Sequence, residues 1–244
     1  MVLLSSIPAE AIEIYPEIYL DTTGSSSPPD LHNASIGRGV SSYFYDDHGN
    51  LVELYTWTLD DPTYVENARI ESWEMKYKVD PYVISNLNVT NTSSTDQTFN
   101  VSTLLGIPDF TYDRVINSSV GVTATDSNGD GHLYFDAATG STVYDGLVNG
   151  SSILTMDPNN PDSLPLSTAS STCGGAGCSV ISNNYVSSLV VPSDVANSIG
   201  LGLGFILSPG DSAAITSRFE IIPEPSTGLL LALGLMALGL RRHG

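Results

Sequence analysis

Residues 126–131 read Asp-Ser-Asn-Gly-Asp-Gly. Asp126, Asn128 and Asp130 carry side-chain oxygens at alternate positions, and the glycines between and after them permit a bend. Hard cations such as Ca²⁺ take oxygen ligands in this spacing. The loop departs from the helix-flanked calcium loop in two ways. Its twelfth position is Ala137, which has no carboxylate to give, and its flanks alternate as strands. A calcium site here needs a ligand from another loop. The same residues suit a hairpin turn, because Asn-Gly and Asp-Gly favour positive φ. The sequence leaves both readings open.

Other chemistry-bearing residues are sparser. Cys173 and Cys178, the two cysteines of the chain, bracket Gly-Gly-Ala-Gly. Their spacing is not that of a zinc or thioredoxin-like site. In an oxidising compartment they are expected to form a local disulfide, contributing roughly 2 kcal/mol on the chain-entropy model. His32, His48 and His132 are far apart in sequence, and no Gly-x-Ser-x-Gly elbow accompanies them. No catalytic residue is assigned. Carboxylate pairs for glycoside hydrolysis cannot be read from sequence, which does not give their separation. Tyr43, Phe44, Tyr45, Tyr55, Trp57, Trp73 and Tyr77 could stack on sugars, but core and strand-surface roles are the expectation for them. Asn-x-Ser/Thr triplets at Asn33, Asn88, Asn91, Asn100, Asn117 and Asn149 follow from the abundance of those residues.

The elements that must position these groups are strands. Ala213, Ile215, Ser217, Phe219 and Ile221 alternate with Ala214, Thr216, Arg218 and Glu220. Leu87 and Val89, Phe99 and Val101, and Val120, Val122 and Ala124 repeat the period of two. Turn residues separate these runs at 46–50, 91–97, 126–131 and 208–211. About ten strands in this arrangement predict an all-β fold, an antiparallel β-sandwich of immunoglobulin-like or jelly-roll-like type. Residues 147–172 read as a long loop or insertion and 20–33 as a mobile segment.

Charge limits the partners. The 244 residues carry 27 acids against 8 bases, a net charge of −19. The six bases of the body, Arg38, Arg69, Lys76, Lys78, Arg114 and Arg218, are scattered in sequence, so nucleic-acid binding is not expected. Cations and neutral glycans are the partners such a charge allows.

The two ends differ from the body. Residues 1–11 close on Ala9-Glu10-Ala11, which fits the end of a secretory signal peptide whose beginning is missing. The mature ectodomain then spans 12–222. At the other end, Gly228–Leu240 has no charged or strongly polar side chain, and Arg241-Arg242 follow it. With Ser226 and Thr227 the uncharged run would span ~22 Å as a helix, short of a ~30 Å hydrocarbon core. The arginines suit the cytoplasmic side. Pro223 and Pro225 stop the helix from extending backwards.

The stretch PEPSTGLLLALGLMALGLRRHG, residues 223–244, resembles the PEP-CTERM sorting signal of Gram-negative bacteria. Its three parts are present in order: Pro223-Glu224-Pro225, a short transmembrane helix over about 227–240, and the basic pair Arg241 and Arg242. The resemblance implies recognition of Pro223, Glu224 and Pro225 by an exosortase, a membrane-bound cysteine transpeptidase-like enzyme. It also implies export across the inner membrane, a single-pass tail anchor, and a link to exopolysaccharide or biofilm. The runs ISNLNVTNTSSTDQTFNVSTLL and ILSPGDSAAITSRFEIIPEP are similar to the β-sandwich ectodomains common in such proteins. The leading expectation is therefore a non-enzymatic surface or matrix protein without a cofactor. A calcium- or glycan-binding module and a surface hydrolase stand as alternatives.

Overall fold

The computed structural model describes residues 16–22, 31, 36–45, 51–78, 82–110, 114–138, 142–156, 169–172, 178–190 and 195–223. Fifteen strands run through them. In chain order they are β1 (Pro16–Asp21), β2 (Gly37–Tyr45), β3 (Leu51–Leu59), β4 (Thr63–Val65) and β5 (Ala68–Lys78). Then come β6 (Tyr82–Asn91), β7 (Gln97–Phe110), β8 (Arg114–Thr125), β9 (His132–Ala137) and β10 (Tyr144–Val148). The last five are β11 (Ser151–Met156), β12 (Ala169–Thr172), β13 (Ser179–Val190), β14 (Val195–Leu207) and β15 (Ser212–Pro223).

The strands form two antiparallel sheets. The first has the order β1-β7-β14-β10-β11, with β9 joining β14 and β12 joining β9. The second has the order β13-β8-β15-β6-β5-β3-β2, with β4 beside β5. The architecture is a β-sandwich, as the alternation predicts. Ala213, Ile215, Phe219 and Ile221 of β15 are buried with Leu87, Val89, Phe99, Val101, Val120, Val122 and Ala124. Residues 147–172 depart from the expected loop. Asn149, with φ 52°, and Gly150, with φ 71°, make a two-residue turn, and β10 and β11 pair across it. Positive φ at both central residues matches the twist of a hairpin, which is why Asn-Gly suits the position. Leu31, within the segment read as mobile, is buried and donates its N–H to the Ile18 carbonyl at 2.7 Å.

Both sheets feed one core. Phe205 stacks between Phe99, at 4.9 Å, and Phe135, at 5.4 Å, in the first sheet. Trp57 and Trp73 of the second meet edge to face at 5.9 Å. Such contacts add about 0.5–1.5 kcal/mol beyond area burial. Polar ties cross between the sheets. The Tyr144 hydroxyl of β10 lies 2.6 Å from the Ser118 hydroxyl of β8 and donates to the Arg218 carbonyl of β15 at 3.0 Å. Burial pushes the Tyr144 phenol well above its ordinary pKa, so it stays a donor. Gly146 faces the Phe219 ring, where an added Cβ would lie 2.5 Å from the ring edge.

The expected transmembrane helix, the basic pair Arg241 and Arg242, and residues 1–11 lie outside the described residues. No helix among the described residues is long and apolar enough to cross a membrane.

Candidate functional site

The Asp126 loop joins β8 to β9 and folds as a nested set of side-chain-capped turns. Asp126 is buried, and its two carboxylate oxygens accept from the Gly129 N–H at 2.8 Å and the Gly131 N–H at 3.0 Å. Asn128 Oδ1 accepts from the Asp130 N–H at 2.9 Å, and Asp130 Oδ1 from the His132 N–H at 2.7 Å. Gly129 and Gly131 take φ of 76° and 79°, which the turns require. Asn128 Nδ2 donates to the Pro209 carbonyl at 2.7 Å and to Asp130 Oδ2 at 3.0 Å. The oxygens that would face a cation are thus turned toward backbone N–H groups and an amide. Among the described residues no group of three His, Cys, Asp or Glu side chains is placed to hold a metal ion.

The structure adds a partner that the spacing of 126–131 does not contain. Asp211, from the turn between β14 and β15, is buried and accepts from the Ser127 N–H at 3.2 Å and from the Ser208 hydroxyl. Desolvation raises its pKa. Those two hydrogen bonds pull it back, and the nearby carboxylates of Asp126 and Asp130 add to the rise. Asn91, at the end of β6, completes the cluster. Its side chain donates to the Leu207 carbonyl at 2.8 Å and the Thr95 carbonyl at 2.9 Å, and its Oδ1 accepts from the Ser93 N–H at 2.9 Å. Asn91 has no exposed surface, which sets its Asn-x-Ser triplet apart from an acceptor on an open loop. Cys178 is disulfide-bonded, and its carbonyl receives the Asp126 N–H at 3.0 Å. Cys173 lies outside the described residues, as do His32 and His48.

The aromatic residues divide. Trp57, Trp73 and Tyr77 are core, and Tyr55 packs against it. Tyr43, Phe44 and Tyr45 of β2 are exposed. Arg38, Arg69, Lys76, Lys78 and Arg218 rise from the outer face of the second sheet, where the ladder puts Lys76, Ile84 and Arg218 in one row. Acids accompany them: Arg38–Asp60 at 3.7 Å, Arg69–Glu71 at 3.0 Å, Lys76–Glu74 at 2.9 Å and Arg218–Glu220 at 2.6 Å. Five of the cations scattered in sequence thus gather on one face, four of them in ion pairs. Beside them a depression lined by Asp60, Asp61, Glu71, Trp73 and Asn86 holds about 170 Å³, against roughly 300–1,000 Å³ for ordinary ligand pockets.

The second candidate site begins where the described chain ends. β15 lies between β8 and β6 in the interior of its sheet, and Pro223, its last residue, pairs with Arg114. Proline has no N–H to donate, so it is tolerated at a strand end and not within. Over its twelve residues β15 carries the chain roughly 40 Å from the Asp126 cluster. The tail therefore leaves the sandwich at the end opposite that cluster. Glu224, Pro225, Arg241 and Arg242 lie outside the described residues.

The described chain is an antiparallel β-sandwich that passes without a linker into a C-terminal signal. Residues 222–242 match the family model of the PEP-CTERM protein-sorting motif. The chain is thus a PEP-CTERM domain-containing protein, and its motif marks it for exosortase-dependent sorting to the cell surface. None of the curated proteins matches the chain.

Proposed function

We propose that the protein is a non-enzymatic component of the cell surface or extracellular matrix. In this reading the tail spans the inner membrane once, with Arg241-Arg242 on the cytoplasmic side, until exosortase acts at Pro223-Glu224-Pro225. The observation that carries the reading is the sorting motif at 222–242, which starts on the last residues of an interior strand. Exopolysaccharide is the partner that this route of export suggests. The prominent polar groups of the body support a structural role, since Asp126, Asp211, Asn91, Ser118 and Tyr144 are engaged in holding turns and sheets together. The Asp126 loop is accordingly proposed as a brace between connections, with Ca²⁺ playing no part.

Replacing Pro223, Glu224 and Pro225 together with Ala tests the sorting step. The apolar run and the arginines remain, so membrane insertion is expected to persist. In a host with exosortase, the wild type is expected in a shortened, released form, and the triple variant at full mass in the membrane fraction. Equal trimming and release of both proteins would refute the proposal.

A further inference from the structure

We propose that β2 is the docking edge for a second copy of this chain, pairing antiparallel with its own counterpart about a two-fold axis through Ser42. β2 closes the order of the second sheet, and among the described residues it pairs with β3 alone. It is exposed on both faces from Arg38 to Tyr45. Val40 is 55% exposed, Tyr43 56%, Phe44 41% and Tyr45 73%, and Leu51 on the neighbouring strand is 60%. An exposed, apolar edge strand is a template for pairing unless proline, charge or a bulge spoils it.

The outer strands β1, β11 and β13 carry such devices. β1 begins at Pro16 and bears Glu17 and Asp21. The register of β11 shifts against β10 between Gly146 and Leu147, and that of β13 against β8 between Val186 and Leu189. β2 has no proline, its ladder with β3 runs without a shift from Gly37 to Tyr45, and within the strand no charge follows Arg38.

The sequence of β2 selects itself as partner. About an axis through Ser42, Gly39 faces Tyr45, Val40 faces Phe44, Ser41 faces Tyr43, and Ser42 faces its own copy. Small residues meet large ones, and the valine meets an aromatic ring. Aromatic and β-branched cross-strand pairs stabilise antiparallel ladders.

Charge points to the same edge. Two bodies of net charge −19 repel one another. β2 is uncharged from Gly39 to Tyr45. A copy paired along that stretch sets no charged side chain against another. The exposed parts of Tyr43, Phe44 and Tyr45 amount to roughly 350 Å² per copy at ~200 Å² per aromatic side chain. A symmetric pair then has on the order of 700 Å² of aromatic surface in reach, before Val40, Leu51 and two backbones are added, against the ~1,000 Å² of a specific interface.

Cysteine scanning of the full chain in detergent micelles tests the pairing. Facing Cα atoms in an antiparallel pair are about 4.5–5.5 Å apart, within disulfide range. On mild oxidation Ser42→Cys is expected to run largely as a reducible dimer. Ser41→Cys, which faces Tyr43, and Ser151→Cys, on the distant β10–β11 hairpin, are expected to stay monomeric. Adding Val40→Lys and Phe44→Lys to Ser42→Cys is expected to remove the dimer while the melting temperature holds, since both side chains are exposed. A monomeric Ser42→Cys protein would overturn the proposal. Equal cross-linking at all three positions would also overturn it, since association through the apolar tail or random collision gives that pattern.

Discussion

The Tyr77 hydroxyl of β5 and the Thr103 hydroxyl of β7 lie 2.5 Å apart, with both residues wholly buried. The contact joins the two sheets, so each side chain satisfies the other where no solvent reaches. Tyr77→Phe alone strands the threonine hydroxyl and is expected to cost about 1–3 kcal/mol. Adding Thr103→Val removes the second polar group, so the double variant is expected to be closer to the wild type than the two single losses sum to. Urea unfolding of the four proteins closes the cycle.

Asp126→Ala is expected to destabilise the protein by about 1.5–3 kcal/mol, because two partly buried N–H groups lose a charged acceptor. If the loop is a brace, millimolar Ca²⁺ leaves the melting temperature of the wild type unchanged. A specific site would raise it by RT ln(1 + [Ca²⁺]/Kd), about 2.7 kcal/mol at a hundredfold excess over Kd. Calorimetric scans with and without the ion separate the two outcomes.

Asp211 makes stability depend on pH in a stated direction. Its folded pKa lies above the ordinary 3.8, chiefly because burial disfavours the charge. The folded chain therefore binds more protons than the unfolded chain between those two values. This contribution is present at low pH and is lost as pH rises through the folded pKa. Asp211→Asn keeps an acceptor for the Ser127 N–H and removes the titration. Melting temperatures from about pH 3 to 7 are expected to show a stability difference, wild type minus variant, that falls with pH.

Gly146→Ala is expected to cost about 1–3 kcal/mol through overpacking against Phe219. Phe219→Leu in the same chain shortens the opposing side chain and is expected to recover part of the loss. If Gly146→Ala alone unfolds at the same urea concentration as the wild type, the close approach of β10 to β15 is wrong.

The alternation of β15 was legible because each buried residue, Ala213 through Ile221, has a neighbour on the opposite face that tolerates water. The sandwich follows from several such runs. Three features were not legible, for physical reasons. Asp211 joins the Asp126 loop only because β8 and β15 pair in a register that sets Ser212 beside Thr125. Local spacing cannot encode that meeting, although the Ser-Pro-Gly-Asp turn marks where to look. The gathering of Lys76 and Arg218 in one row likewise depends on β6 lying between their strands. The division of the aromatics was also hidden. Tyr43 and Tyr55 are similar in sequence context, yet one strand ends the sheet and the other sits inside it.

The position of β15 governs what happens when the tail is pulled. Tension applied beyond Pro223 enters the body along the axis of a strand clamped on both flanks, by β8 along its whole length and by β6 from Ser212 to Glu220. Antiparallel hydrogen bonds lie across that axis, so the load falls on both ladders in shear instead of opening them one rung at a time. A sandwich held this way can be tugged by its C-terminus, by flow or by a moving partner, with its strongest mechanical direction turned toward the tether.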